Sequence, residues 1–421
     1  MKILVSAYAC DPTRGSENKI SWSWYEYYLK QGHEVWLLTL PWGKVGIEKT
    51  LASMKSENAH VCYVRIPSWI EKRHTQRKGS LWVYLHYIIF QQLAYWVSRK
   101  LAKTIDFDVV HHVSWGSIQM GTALWRLKKP LLFGPVGGGQ FPPDGFESYF
   151  ETGWEKEIRR RKVSDLLLRF YPDSKKTLQK ANMVWVVNKE TYDMARLNGA
   201  KHVEYFLDAS FDLDPTSLLP AEQRGSKKLR LIWVGRLLPR KALSFTFEVL
   251  DHLPQDIPFH LDVYGDGEMG HRVSEWIQQR NLQDRITWHG QVPWEEVLEA
   301  YQDADVFMFN SLRDTFGVQL IEAMTAALPI VCLDLHGAAT FVPNEAALKI
   351  SVTTPQETAQ KMAEGIKYLF EHPEKRRKMG EVGRKFALQQ NLKYKSQRVE
   401  STLRKIATPA LNNAEMKATD P

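Results

Sequence analysis

The chain has 421 residues, 44% hydrophobic and 25% charged, with a net charge of +8. This is the composition of a globular protein of two or three domains, and it excludes fibrous and low-complexity classes. The three cysteines, Cys10, Cys62 and Cys332, stand far apart and in no metal-ligand spacing, which argues against a disulfide framework and fits a reducing cytosol. The opening "MKILVSAYACDP" breaks at Asp11 and Pro12, as a first strand does and a signal peptide does not. No run of about 18 apolar residues exists, so no membrane span is expected. Residues 1–200 hold 29 basic and 18 acidic side chains, against 27 and 30 in the remainder. A basic first half and a near-neutral second half suggest different partners for each.

Strand-like runs cover residues 2–9, 35–40, 61–67, 109–114, 130–136 and 183–188. Most are continuously apolar, the pattern of parallel strands buried on both faces. Helical stretches such as 17–31 and 81–103 lie between them, giving a βαβ rhythm. The rhythm lapses in "SFDLDPTSLLPAEQRGSKK" (210–228), read as a linker. It restarts with strands at 230–235, 259–264, 286–289, 306–310 and 329–333, and residues 354–406 read as mainly helical. The expected architecture is α/β: two Rossmann-like doubly wound domains facing a cleft. They span 1–209 and 229–390, followed by a helix at 391–406 and a disordered tail at 407–421. In such sheets ligands bind beyond the carboxyl ends of the strands.

Several loops at those ends carry chemistry. After the first strand, Gly15 and Ser16 precede a helix beginning near Glu17. Such a turn exposes N–H groups to an anion, or is simply a glycine turn with a serine cap. "WVGRLLPRKA" places Arg236 and Lys241 after the restart strand; a planar fork and a point charge suit a diphosphate, although a solvated basic turn has the same sequence. Gly265, Gly267 and Gly270 fit G-x-G-x-x-G, with Asp284 further on. That fingerprint belongs on the first strand of its domain, and Asp266 and Glu268 would set negative charge beside a pyrophosphate. A dehydrogenase reading is therefore the weaker one. Asp303-x-Asp305 precedes its strand, at the edge away from ligands, and reads as structural. His111 and His112 are adjacent on one strand, so at most one faces a cleft. The run "GPVGGG" (134–139) allows close approach of a ligand or serves as a turn. In "NSLRDTFGVQLIEAM" (310–324), Asp314 reads equally as a helix cap, while Glu322 lies among apolar helix residues where a charge needs a reason.

With these motifs in order, the chain resembles the retaining glycosyltransferases of family 4, which have the GT-B fold. The resemblance covers about residues 1–400. It rests on Gly15, on "VGR" with Lys241 five residues on, on "YGDG" and "ITWHG", and above all on "DTFGVQLIEAM", similar to the family's Glu-x7-Glu element. "ACDPTRGSE" and "GPVGGG" look like a bacterial subgroup associated with polysaccharide and cell-envelope synthesis. The resemblance implies transfer of a hexose from a nucleotide diphosphate sugar to the hydroxyl of a sugar or lipid-linked acceptor, with retention and without a metal or other cofactor. It implies that Asp314 and the backbone of Thr315, Phe316 and Gly317 hold the donor sugar and phosphates, that Glu322 binds the ribose, and that the backbone near Val292 meets the base. Gly15, Ser16, Gly265, Arg236 and Lys241 complete the donor site, and His111 or His112 would orient the acceptor. The helix after Tyr394 is expected to cross back to the first domain. Two departures stand out: Asp314 replaces the usual glutamate, and His111-His112 replaces His-x-His. A sugar epimerase or a catalytically weak nucleotide-sugar binding subunit are the competing readings.

Residues 69–103 mix cations with Trp69, Trp82 and Trp96, and "IRRRK" follows at 158–162. This reads as a packed amphipathic helix with a solvated basic face, as a surface for the anionic inner face of the cell membrane, or as sugar-stacking tryptophans. No nucleic-acid motif accompanies the charge. A cytoplasmic protein with peripheral membrane contact is the expectation that follows from the second of these.

Overall fold

The computed structural model describes residues 1–15, 17–76, 81–207 and 228–408, without the side chains of Leu81 and Thr152. They form two compact units, each around a parallel sheet with helices on both faces.

In the first unit seven strands are β1 (Lys2–Ala7), β2 (Glu34–Thr39), β3 (Ala59–Tyr63), β4 (Val109–Ser114), β5 (Leu131–Val136), β6 (Met183–Val186) and β7 (Val203–Tyr205). Their order is β3-β2-β1-β4-β5-β6-β7, and each paired neighbour is parallel. The direction of winding reverses between β1 and β4, the switch point where such sheets bind ligands. β4 and β5 are buried at every residue, as continuously apolar runs require when helices cover both faces.

The second unit holds β8 (Leu229–Val234), β9 (Phe259–Tyr264), β10 (Ile286–Gly290), β11 (Val306–Phe309), β12 (Ile330–Leu333) and β13 (Ala347–Ile350). Their order is β10-β9-β8-β11-β12-β13, with the switch between β8 and β11. β7 and β13 lie outside the runs picked out from sequence. One is three residues long, and the other carries Lys349 in its middle.

The units are not the continuous spans expected from the sequence. Residues 140–162 group with the second unit, while 163–207 and 392–408 group with the first. The reason is packing. Phe146 and Phe150 are fully buried in the core formed by Trp233, Phe245 and Phe247. Tyr149 donates its hydroxyl to Glu248 Oε2 at 2.7 Å. Arg313 Nη2 donates to Glu157 Oε1 at 2.8 Å, and its Nε stands 2.7 Å from Oε2. Most of the expected linker, residues 210–227, and the tail from 409 lie outside the described residues.

The last described helix, Leu392–Ala407, returns to the first unit. Val399, Leu403 and Ile406 enter the core that holds Trp22, Trp24 and Tyr28. Tyr27 donates to Ser396 O at 3.3 Å, Lys395 to Leu207 O at 2.6 Å, and Arg398 Nη2 to Tyr205 O at 2.7 Å. Each buried aliphatic side chain contributes about 1.5–3 kcal/mol. Leu403 is fully buried, so Leu403→Ala should lower the stability of the first unit by about 2–5 kcal/mol. A denaturant titration comparing variant and parent checks this.

Candidate active site

The residues singled out in the second unit stand at the carboxyl ends of β8, β9, β10 and β11, the ligand edge of a parallel sheet. Lys241 closes the short turn Pro239–Lys241 before the helix Leu243–Asp251. Asn310, the residue after β11, fixes this turn. Its Nδ2 donates to Ala242 O at 2.6 Å, and its Oδ1 accepts from Thr246 Oγ1 at 2.8 Å and Trp233 Nε1 at 3.2 Å. The ends of β8 and β11 are thereby tied together.

Lys241 is only 6% exposed. Its ammonium donates to Asp314 Oδ2 and lies 5.1 Å above the Phe309 ring. Arg240 Nη1 stands 3.5 Å from the same carboxylate oxygen, and Asp314 Oδ1 accepts the Thr315 N–H at 2.9 Å. Burial alone would raise the Asp314 carboxyl, but Lys241 and Arg240, with these hydrogen bonds, outweigh it and hold it at about 2. The pair is therefore ionised, although burial disfavours the charged amine of Lys241. Arg236 is exposed and its guanidinium makes no hydrogen bond or ion pair among the described residues. Its charge is felt at Lys241. Three cations against one carboxylate leave this corner with an excess of two positive charges.

Gly317 heads the helix Val318–Thr325 with φ +98°. A Cβ there would stand 2.7 Å from the Phe309 ring, so both backbone and packing require glycine. Phe316 is buried against Phe341, which leaves its backbone rather than its ring for a ligand. Thr315 Oγ1 accepts from Gln140 Nε2 at 3.0 Å. Glu322 is 5% exposed. Trp294 Nε1 donates to its Oε1 at 3.2 Å and the Tyr301 hydroxyl to its Oε2 at 2.9 Å. Burial pushes its carboxyl up, against these two donors. A carboxylate has about four lone-pair positions, so two remain for further donors. Gly265 gives its N–H to Gly290 O at 2.7 Å, and Val292 is partly exposed two residues beyond β10.

Asp303 and Asp305 are structural, as expected. Asp305 Oδ2 accepts the Arg230 N–H at 2.8 Å, and Arg230 Nη1 stands 3.7 Å from Asp303 Oδ1. β9 with its glycine turn is the second strand of its unit, away from the place of a dinucleotide fingerprint. Among the described residues no group of three or more His, Cys, Asp or Glu is placed to hold a metal. A hollow of about 620 Å³ lined by Asp334, Lys349, Lys361 and Tyr368 lies around β13 and contains none of these residues.

In the first unit the two histidines stand apart from the expectation. Both are fully buried. His111 Nδ1 is 2.8 Å from the Tyr28 hydroxyl and its Nε2 is 2.6 Å from Gly134 O. His112 Nε2 is 3.0 Å from the Tyr87 hydroxyl and its Nδ1 is 3.2 Å from Ser6 Oγ. Burial lowers their pKa values to about 4 and about 3. Adjacent strand residues point to opposite faces, and aromatic side chains cover both: Trp24 and Trp185 against His111, Phe133 and Tyr87 against His112. Neither ring is open to an acceptor in this arrangement.

Gly15 precedes the helix Glu17–Lys30 at the carboxyl end of β1. A Cβ there would meet open space, so neither packing nor backbone demands glycine. Ser16 lies outside the described residues. On the helices Ser68–Gln76 and Leu81–Leu101, Trp69 and Trp96 are more than half exposed. Arg73 covers Trp69 and Trp82, and Arg99 covers Trp96. No helix among the described residues is long and apolar enough to cross a membrane.

Sequence reasoning missed Arg240, Asn310, Trp294 and Tyr301. The last two were detectable, since a spacing of seven in "WEEVLEAY" places both on one helix face.

The two parallel α/β sheets, with these residues at their carboxyl ends, give the chain a GT-B fold. Residues 217–386 match the family described as glycosyl transferases group 1. The chain is similar to the phosphatidylinositol N-acetylglucosaminyltransferase GPI3 subunit of Saccharomyces cerevisiae, 28% identical over 35% of this chain and 32% of that one. It is also similar to the alpha-monoglucosyldiacylglycerol synthase of Acholeplasma laidlawii, 26% identical over 71% and 72%. The solved structure of Anabaena HepE in complex with UDP superimposes with a TM-score of 0.61 at 16% identity, covering 96% of this chain and all of that one. The chain spans about a third of the length of the first curated relatives it matches.

Two outcomes follow for the Lys241–Asp314 pair. Asp314→Asn leaves a buried ammonium without its counter-charge and should destabilise the second unit by about 3–5 kcal/mol, read by denaturant titration. The Asp314 carboxyl lies below its ordinary value of 3.8, so its contribution is complete above that value and is lost as pH falls toward 2. The loss should be about 2 kcal/mol, and it should be missing from an acid titration of Asp314→Asn.

Proposed function

We propose that this chain is a retaining glycosyltransferase that moves a hexose from a nucleotide diphosphate sugar to an acceptor hydroxyl in surface polysaccharide or glycolipid synthesis. The observation that carries the reading is the corner around Lys241. Asp314, itself paired with Arg240, orients the buried ammonium, and Arg236 stands open beside it, giving a fixed excess of positive charge. Preorganised charge of this kind stabilises a departing diphosphate without solvent reorganisation. Front-face attack, with the leaving phosphate accepting the acceptor's proton, needs this electrostatic help and no metal. Glu322, already oriented by Trp294 and Tyr301, has lone pairs left for two ribose hydroxyls. The N–H groups near Gly317 face the same edge and suit an anion. The complex of HepE with UDP supports a uridine nucleotide as the first donor to test.

The acceptor belongs to the first, basic unit. The names of the Saccharomyces and Acholeplasma relatives make a lipid-linked acceptor, met at the inner face of a membrane, a natural candidate. A catalytically weak binding subunit is the second reading, favoured by the short acid at 314. An increase of an order of magnitude or more in turnover for Asp314→Glu would support it.

The decisive measurement is a thermal shift against nucleoside diphosphates and their sugars, with and without EDTA. A ligand of the folded state raises Tm by mass action. One nucleotide family should stabilise the protein, indifferently to EDTA, and Glu322→Ala should lose the shift. Arg236→Ala should fold normally and lower kcat/KM by about 100- to 1000-fold. No shift with any nucleotide would overturn the donor site.

A further inference from the structure

At the carboxyl ends of β1, β2, β3 and β4 the first unit gathers a second constellation, which the motifs did not indicate. Tyr8 follows β1, Trp42 follows β2, Trp115 follows β4, and Glu71 and His74 lie on the helix Ser68–Gln76 that follows β3. His86, on the helix Leu81–Leu101, completes it.

The rings are ordered. Trp42 lies nearly parallel to His74 (5.7 Å, 10°) and to His86 (5.5 Å, 23°), and those two imidazoles stack at 4.3 Å. Tyr8 meets the edge of Trp42 at 5.5 Å and stacks on Trp115 at 5.9 Å. The Tyr8 hydroxyl is 2.8 Å from His86 Nδ1, and His86 Nε2 stands 3.4 Å from Glu71 Oε2. The Trp42 indole N–H donates to Glu71, whose carboxyl is raised first by burial. Trp42 is nevertheless 40% exposed, and Glu71 is 27% exposed at its side chain. A large indole is thus pinned on one side by two imidazoles and a carboxylate while a broad part of it stays open. Simple core packing would bury it, and a solvated side chain would not be held from three elements.

An open aromatic plate with a carboxylate at its rim matches the two surfaces of a pyranose. The C–H face is apolar and stacks on an aromatic ring, and the hydroxyl edge needs acceptors. A bare acyl chain would strip water from Glu71 and offer its carboxylate no donor beyond the Trp42 N–H and His86. A phosphate would meet the carboxylate's repulsion.

We propose that Trp42 and Glu71 form the acceptor subsite of this chain, and that its occupant is a saccharide ring rather than an acyl chain. Trp42 stacks the ring, and Glu71 accepts from its hydroxyls. His86 and Tyr8 are positioning residues that hold Glu71 and the indole plane. This rests on the glycosyltransferase reading above.

The test is saturation-transfer difference NMR of the full chain with methyl glycosides of glucose, galactose, mannose and N-acetylglucosamine. Dioleoylglycerol in phosphatidylcholine vesicles is the competing probe, and the UDP thermal shift is measured in parallel. At least one glycoside should show transfer to its ring protons. Trp42→Ala should weaken its binding at least about tenfold, Trp42→Phe should retain most of it, and Glu71→Gln should weaken it while the UDP shift stays unchanged in all three. Equal glycoside binding by Trp42→Ala, or binding of the diacylglycerol vesicles alone, overturns the saccharide subsite and leaves the donor reading intact. A missing UDP shift in the parent protein overturns the donor reading separately. Glycoside binding by no parent sample, with the UDP shift present, also overturns the subsite.

Discussion

The second unit depends on a lysine ammonium buried against a carboxylate. Lys241 could not sit at 6% exposure without Asp314, because an unpaired buried charge costs several kcal/mol. That pairing dictates the turn that carries Lys241, the asparagine that staples the turn to the end of β11, and the direction in which Asp314 points. The shorter acid acquires a reason here. An aspartate one residue before Thr315 turns back to accept from Lys241 and from its neighbour's N–H together, so the carboxylate is committed to the protein before any ligand arrives. What remains for a ligand is the uncompensated charge of Arg236 and Arg240.

The same logic separates the two acids of "DTFGVQLIEAM". Asp314 is held ionised by cations, while Glu322 is held by neutral donors, an indole and a phenol. Two carboxylates held by different means are suited to different work: one belongs to a charge network, the other offers neutral hydrogen bonding to hydroxyls.

Much of this was legible in the sequence, for identifiable reasons. The strand runs were visible because strands buried on both faces are continuously apolar, and every residue of β4, β5, β6, β11 and β12 is buried. Arg236, Lys241, Asp314 and Glu322 were visible because charge at a strand end or inside an apolar helix is unusual. Arg240 was not, since beside Lys241 it looks like any surface cation, whereas Trp294 and Tyr301 share a helix face by their spacing of seven but carry no mark of the glutamate they meet. The His111–His112 pair misled because alternation on a strand suggests one exposed face, and only the three-dimensional arrangement shows aromatic layers on both. The excursion of residues 140–162 into the second unit was hidden for a similar reason: Phe146 and Phe150 carry no mark of which core they join. Trp42 and Glu71 are more than twenty residues apart and become neighbours only through the sheet.

The return of the helix Leu392–Ala407 also sets the order in which the molecule can be completed during synthesis. The first unit lacks Val399, Leu403 and Ile406 until the ribosome has made the whole of the second. At about 5–20 residues per second, residues 208–391 take on the order of ten to forty seconds to emerge. For that interval the aromatic floor around Tyr27 and Trp22 stands uncovered. A chain of this design exposes its earliest-made core longest, and its demand on chaperones falls on the unit that was synthesised first.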